Sequence, residues 1–256
     1  MLKQFSFLLV MLSLSACTAV PVEIEISKAQ LKKASVDNVQ LGVGYFRQGK
    51  LELAKMKLEK AIKQDPKSST AYSSYAYLLE QLNEIDEAKI NYKKSIRLSS
   101  NDPGVNNNYG AFLCRHGEEK KAEKYFIKAV NNPLYKTPAF AYENAGICML
   151  EIPDPVKAEE YFKLALGFNG RSSSSLLNLA DLMFRKENYQ KARGYLDRLH
   201  KLKLHSAKSL WLSIRTEHAL GDEDAVSSYA LLLKHKFPVS REARQLRRAQ
   251  SGVGSY

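Results

Sequence analysis

Residues 41–66, "LGVGYFRQGKLELAKMKLEKAIKQDP", place small side chains at Gly42, Ala54 and Ala61, larger ones at Leu41, Tyr45 and Leu58, a glycine at 49 and a proline at 66. The same frame returns 68 residues on as Tyr109, Gly110, Leu113, Gly117, Ala122, Phe126 and Ala129, and halfway between as Tyr75, Ala76, Leu79, Ala88 and Tyr92. The period is therefore 34 residues, and self-similarity at that length means an array of stacked units. Small residues at two fixed positions let two antiparallel helices approach closely, and a large residue there overpacks at a cost of about 1 to 3 kcal/mol. Gly49, Asn83 and Gly117 fall where the chain turns between the helices, a place that often requires positive φ.

Two further copies follow. One comprises Ala145, Gly146, Met149, Ala158, Phe162 and Ala165, after a two-residue insertion near Pro133 and Pro138; the next comprises Leu179, Ala180, Met183, Ala192 and Leu196. A sixth is looser, with Leu212, Ser213, Gly221, Ala225 and Tyr229, its Gly221 and Ala225 four apart where Gly49 and Ala54 are five. These positions match those of the tetratricopeptide repeat. The expected fold is all-α, a right-handed superhelix of about six repeats over 35–68, 69–102, 103–138, 139–172, 173–205 and 206–240, with a basic helix and tail at 241–256. Stacking buries a continuous core.

The N-terminus reads as an export signal over residues 1–16: Lys3, an apolar run from Phe5 to Leu14, and a close in Leu14, Ser15, Ala16 and Cys17. That run is shorter than the roughly 20 residues a membrane span needs. The closing residues resemble the lipobox of bacterial lipoproteins, which implies lipidation at Cys17, an acylated segment over 17–34 and, with Thr18 next, sorting to the outer membrane. An ordinary secretory signal is the alternative. The net charge of +12 favours anionic partners. Export argues against nucleic acid and leaves lipid headgroups, cell-wall polymer or an acidic protein segment.

Cys114 and Cys148 then remain as thiols in an oxidising compartment. They stand at the twelfth and tenth positions of consecutive repeats, roughly 200° apart around a helix, and so face opposite neighbours. Facing helices leave about 4 to 5.5 Å between Cα atoms, within disulfide range. A structural disulfide is the favoured reading, against two buried free thiols or a reactive cysteine. His116 sits beside a turn as a solvated residue. His200, His205, His218 and His235 lack zinc spacing, and the pair five apart is expected to project on different faces. No phosphate loop, nucleophile elbow or paired-carboxylate motif has a supporting context, so no enzyme activity, cofactor or small-molecule substrate is expected. Ser172 to Ser175 reads as a helix entrance.

The inner surface of such a superhelix is lined by the first helix of each repeat. In repeat one Val36, Val39, Val43 and Phe46 form an apolar stripe beside Gln40 and Arg47, a candidate protein-binding surface unless the segment 23–33 folds back over it. Repeat two offers Thr70, Ser73, Tyr77 and Glu80 there, so the apolar surface is expected to stop. Asn108, Asn144 and Asn178 recur at the sixth position, where amides can bind the backbone of an extended peptide.

The lipobox, the repeats, "NNNYGAFLCRHG" and "YKTPAFAYENAGICML" together resemble the type IV pilus biogenesis lipoproteins called PilW or PilF. The resemblance implies a pilotin, an outer-membrane lipoprotein that helps secretin subunits, PilQ in that family, reach the outer membrane and form multimers. An adaptor for peptidoglycan enzymes, as other tetratricopeptide lipoproteins are, is the alternative.

Overall fold

The computed structural model describes residues 27–152 and 154–252. Cys17 and the rest of the proposed signal lie outside them. The described residues form six antiparallel helix pairs and a closing helix: α1 (Lys28–Arg47) with α2 (Leu51–Gln64), α3 (Ser69–Gln81) with α4 (Ile85–Leu98), α5 (Pro103–Arg115) with α6 (Glu119–Val130), α7 (Pro138–Glu151) with α8 (Pro155–Phe168), α9 (Ser173–Arg185) with α10 (Tyr189–Lys201), α11 (Ala207–Leu220) with α12 (Glu223–Lys236), then α13 (Arg241–Gln250). It is an all-α tetratricopeptide solenoid. α1 begins at Lys28, so residues 28–33 continue the helix and do not fold back over it.

First helices other than α7 start where a short polar side chain satisfies an otherwise unpaired backbone N–H. Ser27, Ser68, Asp102, Ser172, Ser206 and Ser240 all cap in this way, and Ser27 and Gln30 form a reciprocal capping box. Within the pairs the chain turns through left-handed φ at Gly49, Asn83, Gly117, Glu187 and Gly221. Glu187 is the residue that sequence does not single out, since a non-glycine there costs about 1 to 2 kcal/mol.

The close helix approach has a measurable reason. A Cβ added at Gly42 would lie 2.6 Å from Leu58, one at Gly110 would lie 2.8 Å from Phe126, and one at Gly146 would lie 2.7 Å from Phe162. Repeat six departs from the expected frame. Leu212 and Ser213 are buried as expected, but so is Ile214, and on the second helix the buried positions are Val226, Ala230 and Leu233, with Ala225 and Tyr229 only partly buried. Counted from the turn glycine, Val226 keeps the five-residue spacing of Ala54, while Ile214 and Ala230 stand where Gly42 and Leu58 stand in repeat one. The large and small partners have exchanged helices, which preserves volume across the contact.

Neighbouring repeats are also registered by charge. The residue after each buried alanine of the second helix pairs with the following repeat: Lys55 with Glu84, Lys89 with Glu118, Glu123 with Lys157, Glu159 with Lys186 and Arg193 with Asp222. Single pairs of this exposure contribute about 0 to 1 kcal/mol, so their value lies in fixing order and register.

Candidate functional site

The first helices α1, α3 and α5 lie side by side and enclose a surface cavity of about 440 Å³. Val43, Phe46 and Arg47 come from α1, Ser74, Tyr77 and Leu78 from α3, Asn108 from α5, with Leu58 of α2 at the floor. Val43 and Phe46 are half-buried because their inner edges pack on the repeat's core while their outer edges face the groove. Phe46 meets Tyr77 edge to face, ring centroids 5.3 Å apart. Tyr77, 39% exposed, in turn lies under the Arg115 guanidinium at 5.9 Å.

This arrangement corrects the expected stripe. Val39, 8% exposed, belongs to the core beside Ala54 and Leu58, because it faces the repeat's own second helix. Val36, 50% exposed, opens onto a separate cleft with Leu31, Thr70 and Leu98. The apolar surface also continues past repeat one, through Tyr77. What remains as a groove is Val43 and Phe46 on one side, Tyr77 opposite, and the exposed cation of Arg47 at the rim.

The three asparagines do not form a uniform ladder. Asn108 donates to Ser73 Oγ at 3.1 Å and Asn144 to Asn107 Oδ1 at 2.9 Å, each tying its helix to the preceding repeat. Asn178 donates to the carbonyl of Ser174 within its own helix. In repeat five Ser172 and Ser175 bond instead to the Glu143 carboxylate.

Cys114, Arg115 and His116 each reach a different repeat from their own. Cys114 and Cys148 are joined by a disulfide between α5 and α7, their Cα atoms 5.7 Å apart. Arg115 grips Glu80 of α3 with Nε and Nη2, both at 2.7 Å, and His116 Nε2 lies 3.2 Å from the same carboxylate. His116 is exposed beside the turn, as its place in the sequence predicts, and is also a partner of Glu80. Burial and the Glu80 charge together push the Tyr92 hydroxyl upward, keeping it a neutral donor 3.5 Å from Glu80. This network braces the back of the groove.

A second correction concerns His200 and His205, whose Nδ1 atoms stand 3.0 Å apart with the rings stacked. α10 ends at Lys201, and Lys203 takes a left-handed φ of 58°, so the chain doubles back. His200 also bonds Ser213 and packs on Tyr229. Burial, then His205, pushes His200 down to about 4. Among the described residues no cluster of three or more metal-ligating side chains occurs, and no helix is long and apolar enough to cross a membrane.

The tetratricopeptide repeat family matches residues 39–68, 57–90 and 174–202. The chain is 34% identical over 207 residues to the type IV pilus assembly protein PilF of Pseudomonas aeruginosa, a match covering 81% of this chain and 82% of that protein. Among solved structures, one of Pseudomonas aeruginosa PilF superposes with a TM-score of 0.76 at 33% identity, covering 85% of this chain and 98% of that one. A crystal structure of PilW, described as a widely conserved type IV pilus biogenesis factor, gives 0.75 at 28% identity, with 83% and 98% covered.

Proposed function

This chain belongs to the family of the type IV pilus biogenesis proteins PilF and PilW, and on that premise we propose that it is a non-enzymatic pilotin for the pilus secretin. The groove of repeats one to three binds a secretin segment, and acylation at Cys17 holds the protein on the periplasmic face of the outer membrane. Buried acyl chains contribute roughly 0.8 kcal/mol per methylene, so several give a durable anchor. Subunits collected on such an anchor meet at raised effective concentration, which favours multimers without any chemical step.

The observation that carries this reading is the cavity between Val43, Phe46 and Tyr77. It offers a partly apolar, partly desolvated seat of the size of one or two side chains, with Arg47 at its rim, on a rigid face that the repeats hold in register. Asn108 closes one end of it.

Affinity capture from a solubilised cell envelope tests the proposal. Secretin subunits retained by the parent chain and lost with Val43→Asp support it. Recovery of murein hydrolases without secretin would replace it by the adaptor function.

A further inference from the structure

The far end of the array carries a charge arrangement that the groove does not use. Residues 225–252 contain Lys234, Lys236, Arg241, Arg244, Arg247 and Arg248 against a single acid, Glu242. Each junction between repeats takes up one cation in an inter-repeat pair, but among the described residues no ion pair lies beyond Glu223. α13 buries Ala243 and Leu246 against α11 and α12. At about 100° per residue Arg241, Arg244 and Arg248 fall on the opposite side of that helix.

Two of the cations are held at a loop. Arg244 donates to the carbonyl of Val239 at 2.6 Å and Arg247 to that of Pro238 at 3.3 Å. The guanidinium groups of Arg241 and Arg248 have no such partner among the described residues. Val239, whose carbonyl Arg244 holds, stands 84% exposed, and Leu231, one turn before Lys234 on α12, is 71% exposed. Cations flanking protruding apolar side chains suit a phospholipid surface, where phosphates take the charge and the side chains enter the headgroup boundary. A polyanion such as peptidoglycan or an acidic protein face would satisfy the charge alone.

We propose that this C-terminal cap, Arg241, Arg244, Arg247 and Arg248 with Val239 at its tip, docks on anionic phospholipid. It gives the array a second membrane contact, independent of any acyl chain and of the groove, and a chain held at both ends lies along the bilayer.

The test is vesicle co-sedimentation of the unacylated chain from residue 18 onward, which carries neither the apolar run from Phe5 to Leu14 nor the lipidation site, so that binding reads the cap. Binding is expected to vesicles with about 30% phosphatidylglycerol and not to pure phosphatidylcholine, and to weaken as salt rises. Arg241→Glu with Arg248→Glu should lower the affinity by at least about tenfold, since each cation near such a surface is worth roughly a factor of five. Val239→Ser should lower it severalfold while leaving the salt dependence unchanged. Both sets of substitutions sit on exposed side chains, and the helical content and melting curve are checked alongside. Should the double variant not fold, the salt titration and Val239→Ser carry the decision. Binding that is insensitive to lipid charge, equal binding by a folded double variant, or capture by purified peptidoglycan with none by vesicles would overturn the proposal.

Discussion

Glu80 on α3 receives both Nε and Nη2 of Arg115 on α5, each at 2.7 Å, with its own side chain only 5% exposed. Breaking such a pair leaves a buried group without its partner, which costs more than the pair itself contributes. Because the Arg115 side chain is 45% exposed, the loss lies toward the lower end of the range. Glu80→Gln should destabilise the array by about 2 kcal/mol in urea unfolding. A change below a few tenths would mean that the contact does not brace repeats two and three.

Gly110→Ala should cost about 1 to 3 kcal/mol, because its Cβ would stand 2.8 Å from the Phe126 ring and 3.2 Å from the Ala122 carbonyl. Repeat five carries Ala180 and Leu196 at the corresponding positions, both buried. Adding Phe126→Leu copies that pair, so the double variant should be more stable than the sum of the two single changes predicts. Additive losses would show that the glycine is not required by the ring.

Reduction of Cys114–Cys148 opens a loop with a sequence separation of 34. The chain-entropy account gives the bridge about 3 to 4 kcal/mol. The melting temperature of the oxidised protein should fall when a reductant is added, and that of the Cys114→Ala, Cys148→Ala variant should not respond. An equal response of both would assign the effect elsewhere.

His200 gives a pH dependence with a definite sign. Its folded pKa, about 4, lies below the ordinary histidine value because burial disfavours the charged form. Between that value and about 6.5 the unfolded chain binds more protons, so stability is full above neutrality and is lost as pH falls, by roughly 2 kcal/mol at pH 5. Asn at position 200 should flatten this part of the profile in unfolding experiments at pH 7 and pH 5. An unchanged profile would place the titration in other groups.

The repeat frame was legible because the contact it encodes is steric: Gly42, Gly110 and Gly146 each sit within reach of one large side chain of the partner helix. The same logic explains the slip in repeat six, where Ile214 and Ala230 exchange the roles of large and small and the search for a small residue falls on Ser213 and Ala225. Contacts made across a turn were hidden. His205 meets His200 only because the helix ends between them, and Lys203 gives no residue-type signal for its left-handed turn. In the groove, spacing put Val36, Val39, Val43 and Phe46 on one face, but helix neighbours on both sides decide which of them stays accessible, and only Val43 and Phe46 line the cavity. Glu80 read as an interruption of the surface, and it is the residue that fixes Arg115 behind Tyr77.

The groove as the secretin seat is tested most directly by two substitutions in the cavity, measured in cells. Val43→Asp places a charge in a contact that binding would desolvate, at a cost of several kcal/mol, enough to abolish a micromolar complex. Arg47→Glu reverses the exposed rim cation and leaves the core untouched. The readout is the amount of secretin multimer in the outer membrane, with helical content and melting curve of each purified variant in parallel. Loss of multimers with a folded Arg47→Glu chain, and with Val43→Asp, is the predicted result; normal multimers with both folded variants would contradict it.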